Sequence, residues 1–240
     1  MLSFLVRGIF SSPLRTIAYI DGFNLYFGCL TRAKHCKWLD LQALAQRLIH
    51  EQDPGSEVIQ VKYFTAPIKA GLSPYGEASC IAQQDYLLSL KAHCPLIDII
   101  EGEFYIVPGR YHANQNPVNF NERIDVLRPE EKQTDVNIAL HMLCDATDAV
   151  CDQQVLFSND SDCAPVLKTI HDRHPDMTLG VIAPILQVTP ERHPSTALSE
   201  SCNWTRKSIK QQELEDSQLP ESVLTRKRKI TRPARWKKPL

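Results

Sequence analysis

No Cys-x-x-Cys pair occurs in the 240 residues; the eight cysteines are scattered at Cys29, Cys36, Cys80, Cys94, Cys144, Cys151, Cys163 and Cys202. Structural zinc wants closely spaced ligand pairs, so a structural zinc site is not expected, and a chain of this length needs no disulfide scaffold. The cysteines read mostly as small buried hydrophobes in a reducing compartment. No apolar run approaches the roughly 20 residues of a membrane span. The first fifteen residues hold no acid, but Arg7 splits their apolar stretch into pieces too short for a secretory signal, so 1–14 reads as an N-terminal extension. Internal repeats are lacking, and the net charge is only −1. What is present is ordinary globular composition, 43% hydrophobic and 23% charged, in a chain long enough to bury a full core.

The small net charge hides an asymmetry. Residues 1–202 carry 16 Lys and Arg against 24 Asp and Glu, whereas 203–240 carry 11 against 4. The stretch 226–238 holds eight basic residues, no acid and Trp236. Such a composition reads as a basic, mostly irregular tail suited to a polyanion, since each phosphate contact releases counterions; the alternative is a solvated tail. The expected division is therefore an extension at 1–14, a domain at 15–202 and a tail at 203–240.

Between the ends, strand and helix patterns alternate, which predicts a parallel sheet covered on both faces. Residues 16–20 (TIAYI) read as a buried strand stopped by Asp21-Gly22. A helix follows Asp40, with Leu41, Leu44, Ala45 and Leu48 at helical spacing. Residues 58–64 and 97–104 read as strands around a helix at 79–93, and 105–130 as an irregular hairpin insertion. Thr134 is expected to cap the next helix. Strands at 154–157 and 179–183 then flank a helix capped by Asp162, whose first turn tolerates Pro165. About five strands result.

Acids fall where an open parallel sheet binds ligands, beyond the carboxyl ends of its strands. Asp21 follows the first strand, Asp160 and Asp162 follow the fourth, and Asp135 opens the helix before it. Each has a plain structural reading as turn former, cap or dipole partner. Together at one edge they would repel unless a cation neutralises them, and hard oxygen ligands suit Mg²⁺ or Mn²⁺. An ion so held can polarise a phosphoryl oxygen and activate water, which points to phosphodiester hydrolysis. Asn24, Ser158 and Asn159 could hold a water or phosphate there, and Lys132 could reach the phosphate or stay solvated. His35 and Cys36 near Cys29 are a weaker metal candidate, since a fourth partner is not visible in sequence.

The runs YIDGFNLY at 19–26, EEKQTDVNIALHML at 130–143 and VLFSNDSD at 155–162 resemble the NYN domain family, in its LabA-like branch. WLDL near 38–41, KYFTA at 62–66 and RPARW at 232–236 resemble further signatures of that branch. The resemblance implies a PIN-like three-layer α/β/α sandwich around a central parallel sheet, with Asp21, Asp135, Asp160 and Asp162 as catalytic and metal-holding acids. Gln133-Thr134 stands where that family usually has Gly and a small residue, which removes no ligand. The expectation is a cytoplasmic Mg²⁺- or Mn²⁺-dependent ribonuclease, a hydrolase with RNA as partner, no membrane contact and homo-oligomerisation left open. The rivals are a non-catalytic RNA-binding regulator, a DNA-directed nuclease or phosphatase, and a glycosyltransferase using Asp160-Ser161-Asp162.

Overall fold

The computed structural model describes residues 12–238 apart from Pro74 and Pro190, so most of the 1–14 extension lies outside the described residues. A central sheet is built from β1 (Leu14–Asp21), β2 (Ser56–Thr65), β3 (Ile97–Glu101), β6 (Gln153–Phe157), β7 (Thr178–Ile182) and β8 (Trp204–Arg206). Its order is β3-β2-β1-β6-β7-β8 and every pairing is parallel. The chain leaves β1 toward one edge and returns at β6 on the other side, so the order reverses between these two neighbours. That reversal opens a crevice at their carboxyl ends.

Side chains alternate across β1. Ala18 and Ile20 join the core on one face, and Ile17 and Tyr19 the core on the other; all four are buried. The first face is covered by α2 (Leu41–Gln52) and α3 (Glu77–His93), the second by α4 (Thr134–Thr147), α5 (Ala164–Arg173) and α6 (Thr196–Glu200). This is a three-layer α/β/α sandwich. Helix α2 shows why the pattern was readable. Asp40 accepts the Ala43 amide at 2.8 Å, and Leu41, Leu44, Ala45, Leu48 and Ile49 form its buried stripe. Each of the larger of these stabilises the fold by roughly 1.5–3 kcal/mol on burial.

The sixth strand lies in the segment expected to be an irregular tail. Trp204 in β8 packs against Gly180 of β7, where an added Cβ would fall 2.2 Å from the indole, and its Nε1 donates to Gln153 Oε1 at 3.1 Å. After β8 come α7 (Gln211–Asp216) and an antiparallel pair, β9 (Ser222–Leu224) and β10 (Lys229–Thr231). The tail is ordered because its few apolar residues have a receptor. Leu214, Leu219, Val223 and Ile230 enter the first core, and Trp236 sits 6.2 Å from Trp38 and 6.1 Å from Tyr86 between ring centroids.

The insertion is also more regular than expected. β4 (Glu103–His112) and β5 (Arg123–Lys132) pair along ten residues as a two-stranded arm. Gly102 separates β3 from β4, its amide bonded to Thr65 O at 2.7 Å while the space over its Cα is filled by Glu131 and Lys132. No helix among the described residues is long and apolar enough to cross a membrane.

Candidate functional site

Asp21 ends β1, and the chain must turn at once under β2. Gly22 permits this, because a Cβ there would lie 2.5 Å from Phe64 O. α1 (Gly22–Leu25) then starts with Asp21 as its cap: Asp21 Oδ1 accepts the Asn24 amide at 2.9 Å. Its other oxygen accepts Asn24 Nδ2 at 2.6 Å and the Ser158 hydroxyl at 3.0 Å. Asp21 is buried, which pushes its carboxyl above the usual range, while these donors pull the other way.

Across the crevice, Ser158 follows β6 and its oxygen also accepts the Asp160 amide at 3.0 Å. Asp160 accepts the Asp162 amide at 3.1 Å, capping the short 3₁₀ turn Ser161–Cys163 that leads into α5. Here the expectation is corrected: Asp160 is the cap and Asp162 is an exposed residue inside the turn. The cap of α4 is corrected too. Thr134 is its first residue, Gln133 precedes it with φ 83°, and Glu131 accepts both the amide and the hydroxyl of Thr134.

Asp135, in the first turn of α4, completes the group. Half-burial first, then the fields of Asp21, Asp160, Glu131 and Asp162, push its carboxyl up to about 6. Acids distant in the sequence thus act electrostatically on Asp135. None of Asp21, Asp135, Asp160 and Asp162 forms an ion pair among the described residues. Their oxygens are not tightly clustered: among the described residues only His35, Cys36 and Glu215 bring three candidate ligand atoms within 4.8 Å of one another.

The other sequence candidates hold the scaffold. Asn24 Oδ1 accepts the Asn159 amide at 3.2 Å, tying the two strand ends together. Asn159 Nδ2 donates to His193 O at 3.2 Å, and its oxygen takes the Ser195 amide at 2.7 Å, fixing the start of α6. Lys132 turns away onto the arm, 3.7 Å from Glu130 and 5.6 Å from the Tyr105 ring. Sequence reasoning missed Glu131 and Cys163. The Cys163 thiol is buried, and burial and then the four acids raise its pKa. It also missed Phe23 and Phe104, which meet at 5.9 Å where α1 and the base of the arm approach. Two surface cavities, of about 360 and 550 Å³, lie along the arm and at the start of β2, and none of the four acids lines either.

No family model matches the chain. A solved structure of unknown function, VPA0982 from Vibrio parahaemolyticus RIMD 2210633, aligns over 83% of this chain and 95% of its own at TM-score 0.44 and 14% identity. The 6-hydroxy-3-succinoylpyridine 3-monooxygenase HspA of Pseudomonas putida (strain DSM 28022 / S16) is 35% identical over 249 aligned positions. A monooxygenase is an oxidoreductase, so the ribonuclease expectation is overturned, and with it the hydrolase and nuclease classes. The error has a physical root, since carboxylates at a sheet edge specify a cation or proton site and leave the reaction open. With that identity spread over 96% of this chain and 78% of the relative, the chain belongs to the family of 6-hydroxy-3-succinoylpyridine 3-monooxygenase HspA.

Proposed function

We propose that this chain is an oxidoreductase of the monooxygenase type, acting on a hydroxylated pyridine ring with an acidic acyl side chain. The observation that carries the reading is the near full-length relative and the substrate in its name. In such a ring the hydroxyl at position 6 is para to position 3. Removing the hydroxyl proton raises electron density at the carbon that receives oxygen. Asp135 suits that proton transfer, because a carboxyl titrating at about 6 is mostly ionised at neutral pH yet more basic than an ordinary aspartate. Phe23, two residues after Asp21, and Phe104 offer flat apolar surface for the ring.

The carboxylates of Asp21, Asp135, Asp160 and Asp162, none of them ion-paired among the described residues, are hard oxygen donors that also suit Mg²⁺ or Mn²⁺. Such an ion would screen the mutual repulsion of the acids. The same negative field is unsuited to the phosphates of a flavin or nicotinamide nucleotide, so these residues do not fit that part of a redox cofactor. Oxygen entering at position 3 forms the ring C–O bond and breaks the bond to the acyl group already there. With the acyl chain released as an aldehyde, the step consumes four electrons and four protons and releases one water, so two equivalents of a two-electron donor must be supplied. All eight cysteines are free, in keeping with the reducing environment of a cytoplasmic protein.

The test supplies purified protein with 6-hydroxy-3-succinoylpyridine, ¹⁸O₂ and reduced nicotinamide, with and without flavin and Mg²⁺ or Mn²⁺. Incorporation of one ¹⁸O atom into the ring product, read by mass spectrometry and lost in Asp135→Asn, is expected. Absence of label under every combination would overturn the reading.

A further inference from the structure

We propose that His35, Cys36 and Glu215 form a zinc site that fastens the C-terminal segment to the body of the protein. One ligand atom from each lies within 4.8 Å of the other two, and His35 Nε2 is 2.8 Å from Glu215 Oε1. Zinc holds N, O and S donors at about 2.0–2.3 Å, which sets neighbouring ligand atoms of a tetrahedral site about 3.3–3.8 Å apart. The trio needs only a small adjustment to reach that spacing. Imidazole, thiolate and carboxylate are a mixed set that suits Zn²⁺ better than Mg²⁺.

The surroundings support this use. Cys36 is fully buried. The sulfurs of Cys80, Cys94 and Cys202 donate to oxygen atoms, whereas that of Cys36 has no hydrogen-bond partner among the described residues. The turn carrying His35 and Cys36 is held by Arg232, which donates to the His35 carbonyl, and by Gln218, which donates to the Cys36 carbonyl at 3.2 Å. Lys238 lies 3.3 Å from Glu215 Oε2, a second interaction that orients the carboxylate and leaves its other oxygen to the metal. Gln211 donates to that other oxygen at 2.8 Å and must move aside. Thiolate and carboxylate together balance the ion's charge, and binding releases the thiol proton.

Residues 35 and 215 are 180 apart in sequence. A metal joining them closes a long loop and adds stability that grows with the logarithm of free metal over its dissociation constant. This site lies on the face of the sheet opposite α4 and is independent of the proposed oxygenation.

The experiment titrates the full-length, metal-stripped protein with Co²⁺ alone, then with Zn²⁺. One equivalent of Co²⁺ should give a thiolate-to-cobalt charge-transfer band that one equivalent of Zn²⁺ abolishes, and Zn²⁺ should raise Tm. The band should vanish in Cys36→Ser. Should that variant fail to fold, Glu215→Gln keeps the thiol and should weaken Co²⁺ binding by about tenfold or more. No band in the wild type, an undiminished band in Cys36→Ser, or unchanged affinity in Glu215→Gln would overturn the proposal.

Discussion

The acidic edge of the sheet and the basic C-terminal segment are both rich in charge and use it in opposite ways. In the C-terminal segment the cations are spent on the protein itself. Arg206 bridges Glu51 and Glu213, Arg228 pairs with Asp85, Lys237 with Glu221 and Lys238 with Glu215, while Arg235 donates to Ala78 O at 2.7 Å and lies over the Tyr75 ring. At the acidic edge no cationic side chain among the described residues answers the carboxylates, and amides and hydroxyls hold Asp21 and Asp160 in place. Unanswered charge at a strand end is a cost that folding alone does not explain, so it marks the site. Answered charge is architecture.

The largest effect should come from breaking the acidic side. Asp135→Asn should lower hydroxypyridine turnover by about 10²–10⁴-fold, the usual worth of a general base. In the wild type kcat/KM should fall as pH drops below about 6, because the base must be ionised. Steady-state kinetics across pH checks both. On the other side, Trp38 is fully buried, contacts Trp236 and donates to Pro220 O at 2.8 Å. Trp38→Ala should cost about 3–5 kcal/mol and expose amides of residues 220–238 to hydrogen exchange, read alongside urea denaturation.

A buried pair inside the sandwich sharpens the contrast. Lys62 lies 2.6 Å from Asp145, which also accepts the Tyr19 hydroxyl at 2.6 Å. Lys62→Met leaves that half-buried carboxylate with only the phenol, and a loss of about 3 kcal/mol is expected by chemical denaturation. Asp135→Asn should move stability the other way. Its folded-state pKa of about 6 lies above the unfolded value of 3.8, so the folded protein binds the proton more tightly and stability is lost as pH rises through that window. Removing the charge should therefore raise stability at pH 7–8 by of order 1 kcal/mol after solvent screening, about 2–4 °C in Tm, with no gain near pH 4. Thermal melts at both pH values check the sign. The smallest effect belongs to the exposed Arg226 and Lys227, where alanine should change stability by less than about 0.5 kcal/mol.

The sandwich was legible because its signals are local. The stripe of α2 behind Asp40, the apolar run of β1 and the acid after each central strand all sit within a few residues of what they specify. The arm and the C-terminal elements were harder to read. Pro108 and Pro129 argue against a sheet interior, yet both are tolerated in a two-stranded ribbon with free edges. Three-residue strands such as β8 carry no period to detect. The role of Asn24, Ser158 and Asn159 as a mutual brace was hidden because their partners come from other loops.

By itself the sequence determined the alternation of strand and helix, the two apolar faces of β1 and the placement of Asp21, Asp135, Asp160 and Asp162 near strand ends. These follow from periodicity and turn chemistry, which act over one or two turns of chain. Only the tertiary structure decided that β1 and β6 are neighbours, that the four acids feel one another without a cation between them, and that Glu215 comes to His35 and Cys36. Those outcomes depend on which apolar faces find each other in the folded core, an energy that no stretch of chain carries alone.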